Sequence, residues 1–232
     1  MAAPATEAAI KAIRELIISG ELPPGARLPA ENVLAANLGL SRNTLREAVR
    51  ALVTARVLDV RRGDGTFVTS LEPQLLLEGI GFAVEFMQQG RALELLELRR
   101  ILEPAATALA ATRIAPEELA GLGEALAAME HSHGETRIKQ DIDFHARIAR
   151  ASGNQTLATM LSEVSGKSVH ARIWHGTIEA HADQRAHAEH QAIHAALVDG
   201  DPVLAHSAAL VHVAHTEVWY RRMLTEDAAR VG

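Results

Sequence analysis

The sequence predicts a mainly α-helical protein in two parts, an N-terminal winged helix-turn-helix followed by an all-helical bundle of six or seven helices. Three observations lead there. Apolar residues recur at helical spacing along most of the chain, and strand-like alternation is confined to "LDVRRGDGTFV", residues 58–68. Charge and histidine are also divided unevenly. Residues 1–70 hold nine Lys/Arg against seven Asp/Glu, the remainder fourteen against twenty-two, and all twelve histidines lie between His131 and His215.

Composition bounds the rest. At 232 residues with 48% hydrophobic and 3% aromatic content, the chain can bury one large core or two ordinary ones and leans towards helix. No run of about 18 apolar residues predicts a membrane span. The N-terminus "MAAPATEAAIKAIREL" does not read as a signal peptide, and the absence of cysteine removes disulfide and thiolate chemistry. These features fit a cytoplasmic protein.

In chain order, Thr6 is placed to cap a first helix whose Ile10, Ile13 and Ile17 share a face, with Gly20, Pro23 and Pro24 ending it. A short second helix near residues 30–38 is expected to bury Val33, Leu34 and Leu38, and Gly39 then turns the chain. Ser41 caps a third helix that runs to about Ala55. Two strands joined at Gly63-Asp64-Gly65 form the wing. The expected domains are 1–70, a linker over 71–75 marked by Pro73, and 76–232. Helices are predicted over 75–89, 92–112, 116–130, 135–151, 154 to about 180, 183–199 and 202–223, the last with Asp201 as cap and Pro202 in its first turn.

Within residues 41–62, six arginines face only Glu47 and Asp59, so the positive charge is local, on an otherwise acidic chain of net charge −6. In a helix-turn-helix the second helix of the pair enters the major groove with its first residues on base edges. Ser41, Arg42, Asn43, Thr44 and Arg46 occupy that first turn and a half. Arg42 suits a bidentate contact to guanine O6 and N7.

The segment "LPPGARLPAENVLAANLGLSRNTLREAVRALVTARVLDVRRGDGTFV" resembles the N-terminal signature of GntR-type bacterial transcription regulators, over nearly all of residues 8–69. The resemblance implies that Arg42 and Arg46 contact double-stranded operator DNA and that Arg62 and Gly63 at the wing tip enter the minor groove. Asn32 stands where the family usually has an arginine, so one contact there is replaced. A homodimer is expected, because one recognition helix of this size reads too few bases alone.

"LLELRRILEPAATALAA", "DFHARIARASGNQTL" and "EHQAIHAAL" resemble the FCD-type effector domain over most of residues 75–222. The resemblance implies a divalent metal held by Asp141, His145, His190 and His212. The residues themselves support part of this: Asp141 and His145 stand one helical turn apart, and a carboxylate with imidazoles suits Zn²⁺, Ni²⁺, Mn²⁺ or Fe²⁺ better than Ca²⁺. Spacing alone leaves the other ligands open, with His194 and His215 as alternatives. Arg99 matches a family arginine that faces the cavity and would clamp a small organic acid, unless it pairs with Glu94, Glu97 or Glu103 on the bundle surface.

The expected function is a metabolite-responsive regulator, commonly a repressor, released by a small carboxylic acid at the metal. Alternatives are the same regulator with a purely structural metal or a lipid-like effector, and a metalloenzyme. The last is weak, because a di-iron bundle calls for two Glu-x-x-His motifs and the chain does not carry two. No enzymatic activity is expected.

Overall fold

A computed structural model describes residues 4–85, 91–165 and 180–231. The chain divides into two compact units, Met1–Gly79 and Ile80–Gly232.

The first unit comprises α1 (Pro4–Ile18), α2 (Glu31–Asn37), α3 (Arg42–Thr54), β1 (Leu58–Arg61), β2 (Gly65–Val68) and the short α4 (Pro73–Leu76). Its core gathers Ile13 from α1, Leu34 from α2, Leu45, Ala48 and Leu52 from α3, and Leu58 and Val68 from the strands. Ser41 caps α3 as expected, its Oγ accepting the Thr44 amide at 3.1 Å. Gly39 adopts φ +64°, a left-handed turn that an L side chain would strain. The antiparallel wing pairs Leu58 with Val68 and Arg61 with Gly65. The stretch before α2 adds an edge to this wing, with Leu28 N donating to Thr66 O and Val68 N to Ala26 O, both at 2.8 Å.

Two local expectations are corrected. Thr6 lies inside α1 rather than at its cap, buried, with Oγ1 donating to Glu47 Oε2 at 3.0 Å. Pro4 supplies the helix start instead, since its missing N–H is one the first turn cannot use. Val33 is exposed, because α2 turns Leu34 and Ala35 inward. The segment expected as a linker holds α4, and the first unit continues to Gly79, with Leu71 packed on its core and Arg56 Nε paired with Glu78 Oε2 at 2.8 Å.

In the second unit the described helices are α5 (Glu78–Glu85, which begins at the division), α6 (Ala92–Ala111), α7 (Pro116–Glu130), α8 (Gly134–Ala151), α9 (Gln155–Val164), α10 (Ala180–Val198) and α11 (Pro202–Val231). Asp201 Oδ1 accepts the amides of Val203 and Leu204 at 2.8 and 3.0 Å, the expected cap of α11. The ends of the helices expected over 75–89 and 154 to about 180 reach outside the described residues. Helix α6 packs against α8, α9 and α11, and α10 against α7 and α11. One apolar cluster joins Leu122 and Met129 of α7, Phe144 and Ile148 of α8, Ile193 and Leu197 of α10 and Ala205 and Ala209 of α11. Among the described residues, no helix is long and apolar enough to cross a membrane.

Leu45 is fully buried, so Leu45→Ala should cost about 2–5 kcal/mol of stability. Ser41→Ala, which removes only the cap, should cost about 1 kcal/mol. Denaturant melts of the two variants should preserve that order.

Candidate functional site

Helix α3 sorts its residues by burial. Leu45, Ala48, Val49 and Leu52 face the core, while Ser41, Arg42, Asn43, Arg46 and Arg50 are exposed and Thr44 is half-buried. The hydroxyls of Ser41 and Thr44 lie 2.8 Å apart at the helix start. A helix N-terminus carries partial positive charge, and Arg42 adds a full one, so this end attracts anions. Arg46 Nη2 meets Glu31 Oε2 of α2 at 3.0 Å, both half exposed. Such pairs are weak in water, so a phosphate can take the place of the carboxylate. Asn32, next to Glu31, is exposed and offers hydrogen bonds without charge.

At the wing, Arg62 and Gly63 are exposed on the turn. Arg61 is less free: its guanidinium stacks 4.2 Å above the Phe67 ring and reaches Asp59 Oδ2 at 3.5 Å. Arg27 is an additional wing cation. Its backbone bridges Phe67, and a Cβ placed on Gly65 would stand 2.9 Å from its Nε. Nothing in local spacing marks Arg27; only the pairing of residues 25–28 with β2 brings it there.

The bundle holds the other constellation. Asp141 and His145 project from α8, His190 from α10 and His212 from α11, and each offers one ligand atom within 4.8 Å of the other three. His145 Nε2 and His190 Nε2 are 3.2 Å apart, and Asp141 Oδ1 lies 3.2 Å from His190 Nε2 and 3.8 Å from His145 Nε2. Metal–imidazole bonds of about 2.0–2.1 Å place neighbouring donors roughly 3 Å apart, so these separations fit one ion. Phe144 closes one side, its ring centroid 5.0 Å from that of His190.

Two further carboxylates face the histidines of this cluster. His212 Nδ1 meets Glu189 Oε2 at 3.0 Å, which leaves Nε2 as the nitrogen open to the cluster. Glu189 Oε1 also holds His215 Nδ1 at 2.6 Å. On α6, Arg99 Nε donates to Glu103 Oε1 at 2.5 Å, with both side chains buried, while His145 Nδ1 faces Glu103 Oε2 at 3.7 Å. Carboxylates behind ligating histidines fix the tautomer and raise the basicity of the donor nitrogen.

Burial, opposed by Glu103 and Asp141, lowers the His145 pKa to about 3, and burial followed by the neighbouring His212 lowers that of His190. Both imidazoles are therefore neutral donors near pH 7. Burial would raise the Glu103 carboxyl, but the adjoining Arg99 guanidinium, together with His145 and His212, outweighs it and lowers the group to about 2. Arg99 is the strongest of the partners that keep Glu103 ionised.

The structure thus brings together the four residues expected as metal ligands and not the alternatives. His194 lies 3.3 Å from the Leu119 carbonyl, and His215 is engaged by Glu189 on a half-exposed surface. Arg99 is beside the cluster, but its pairing with Glu103 is internal rather than on the bundle surface. Arg100 turns away to Glu217 Oε2 at 3.2 Å. Glu189 and the role of Glu103 were not read from the sequence, although Glu103 stands one turn from Arg99 and Glu189 is adjacent to His190. Arg137, buried one turn before Asp141 with Nη1 on the Met129 carbonyl at 2.7 Å, was missed as well.

Comparison with known proteins places both units. Residues 5–68 match the bacterial regulatory proteins of the gntR family, and residues 94–215 match the FCD domain. The chain is similar to the HTH-type transcriptional regulator LutR of Bacillus subtilis (strain 168), 30% identical over 209 residues that cover 87% of this chain and 94% of that protein. It is also similar to the galactonate operon transcriptional repressor of Escherichia coli (strain K12), 29% identical over 216 residues, 90% of this chain and 93% of that one. Among solved structures, Streptococcus agalactiae GntR superposes with a TM-score of 0.65 at 31% identity, over 92% of this chain and 98% of that chain.

The lowered imidazole pKa values set a pH dependence. The folded value for His145, about 3, lies below the 6.5 of an ordinary histidine, so between these limits the unfolded chain binds more protons. Stability from this group is complete above about pH 6.5 and is lost as pH falls towards 3. Chelator-treated protein should therefore melt at lower temperature at pH 5 than at pH 7, and His145→Gln should flatten that slope.

Proposed function

Because this chain belongs to the gntR family of bacterial regulatory proteins and carries an FCD domain, we propose that it is a homodimeric repressor that leaves its operator when a small carboxylic acid binds at a divalent metal. The family consists of transcription regulators, not enzymes, so the metalloenzyme alternative falls. The observation that carries the metal reading is the convergence of Asp141, His145, His190 and His212 on one point inside the bundle.

In this reading Arg42 reads a guanine, Ser41, Asn43, Thr44 and Arg46 hold the backbone and adjacent base edges, Asn32 contributes a neutral contact, and Arg62 with Gly63 enters the minor groove. Three imidazoles and one carboxylate form the ligand set for Zn²⁺, Ni²⁺, Mn²⁺ or Fe²⁺. The ion, when bound, supplies a Lewis-acidic anchor for a carboxylate oxygen. Arg99, already ionised and desolvated beside Glu103, adds positive potential at the same place. An interior with this much fixed charge disfavours a lipid-like effector. The galactonate relative, named for an operon concerned with a hydroxylated carboxylate, supports an organic acid and a repressor.

Arg42→Ala should cost about 1–3 kcal/mol of operator binding and relax base preference. Arg46→Ala should weaken all sequences more evenly and flatten the dependence on salt. Wild-type affinity for both variants at physiological salt would overturn this docking.

Binding to the two units should be coupled. A coupling of roughly 1–3 kcal/mol is a working switch, and linkage requires the operator to weaken acid binding by the factor with which the acid weakens operator binding. Calorimetry of candidate acids with metal-loaded protein, with and without operator, reads both arms. Elemental analysis of a His145→Ala, His190→Ala double variant should find little metal. Full occupancy there would move the site, and acid binding that left operator affinity unchanged would remove the switch.

A further inference from the structure

The wing carries one cation for which the fold provides a seat and no counter-charge. Leu58 and Val68 pair across the strands and are buried, so alternation along β1 and β2 puts Asp59, Arg61 and Phe67 on the opposite, outer face. Arg27 joins that face, because the segment before α2 sets it directly across from Phe67. Its guanidinium lies against the backbone of Gly65, where a Cβ would stand 2.9 Å from Nε and 3.3 Å from Nη2. A side chain at this position would push Arg27 away, and the φ of +121° is one that glycine accepts readily. Gly65 is also the cross-strand partner of Arg61. Arg27 and Arg61 therefore flank one glycine at the base of the wing turn.

The two arginines are not balanced alike. Arg61 reaches Asp59 and stacks on Phe67, whereas Arg27 is exposed and has no acidic partner among the described residues. Its place in the chain matters too. Glu31, which opens α2 shortly after Arg27, meets Arg46 of α3, so one short segment connects the wing face to the neighbour of the recognition helix. With α3 in the major groove and the wing tip in the minor groove, a sugar-phosphate backbone must run between them. An exposed guanidinium without a counter-ion, seated at the base of the wing, offers that backbone a rigid fork of donors matched to phosphate oxygens.

We propose that Arg27 is a phosphate-binding residue of the DNA interface, seated on Gly65, and that it fixes the position of the wing on the duplex without reading bases. This rests on the docking proposed above and extends it by one contact per chain. Phosphate contacts set register and orientation but carry no sequence information directly, so the signature of Arg27 differs from that of Arg42.

The test uses full-length protein and two duplexes of equal length: the sequence that the unmodified protein selects from a random duplex library, and a scrambled version of it. Fluorescence anisotropy across a salt series gives affinity and its salt dependence for each. Arg27→Gln should weaken binding to both duplexes by the same factor and lower the slope of log affinity against log salt by about one per bound chain. Arg27→Lys, which keeps the charge but not the fork, should retain the slope.

Unchanged affinity and slope in Arg27→Gln would overturn the assignment. A loss confined to the selected duplex would do the same, because it would mark base readout. Weaker binding with an unaltered slope, or an equal loss of slope in Arg27→Lys, would reduce Arg27 to a support for the wing and likewise overturn the proposal. The docking itself fails on a different result. If Arg42→Ala and Arg46→Ala also bind both duplexes like unmodified protein, α3 is not in the groove; if those two weaken binding while Arg27→Gln is silent, only the contact proposed here is lost.

Discussion

Charge buried inside a helical bundle must be matched, and in this protein the Arg99–Glu103 pair on α6 is the match on which the rest of the interior depends. Both side chains are almost wholly removed from water. Either alone would carry a desolvation penalty far larger than a surface ion pair could offset. Together they place an ionised carboxylate behind His145 and a guanidinium close to Asp141. Removing one partner would leave the other uncompensated, so Arg99 and Glu103 support the interior as a pair. The polar centre is stacked outward from this pair: Glu103 faces His145, His145 meets His190 and Asp141, and His212 is held from behind by Glu189.

The winged unit solves a different problem with surface charge. Its core is apolar and ordinary, and its arginines are presented on the outside, where water carries their solvation. Arg46 and Arg61 are lightly committed to Glu31 and Asp59, which sets their directions at little energetic cost. Arg42 leads α3 at the end where the helix dipole also favours anions. Rigidity comes from beneath, through Leu45 and Leu52 in the core and through the Thr6–Glu47 bond that ties α1 to the recognition helix.

Much of this was legible in the sequence because it depends on local rules. The Ser41 cap, the Gly39 turn, the wing and the Asp201-Pro202 start are each fixed within a few residues, and all appear in the structure. Thr6 was misread because a threonine near a helix start and a threonine buried against a distant glutamate look alike until α1 meets α3. Val33 was misread for a related reason: a seven-residue helix has too few apolar positions to define its buried face. In the bundle, Asp141 and His145 could be paired by one-turn spacing, whereas His190 and His212 were named only through family resemblance. Choosing them over His194 and His215 requires knowing which faces of α10 and α11 turn towards α8. Glu103 and Glu189 lay beyond spacing arguments for the same reason.

Two buried polar atoms at this centre lack partners among the described residues, Glu103 Oε2 and His190 Nδ1. His190 packs against the Phe144 ring, and Glu103 shares its surroundings with Ile142, Ala149 and Leu161. A core selected only for stability would fill such positions with apolar side chains, because an unmatched polar atom costs free energy that a methyl group does not. Retaining them lowers the stability of the ligand-free bundle and makes any ligand that completes them a stabiliser of the folded form. A domain whose task is to respond to a small molecule benefits from that imbalance. The free energy recovered when the interior is completed is available to favour one conformation over another, as far as the ligand binds the two differently.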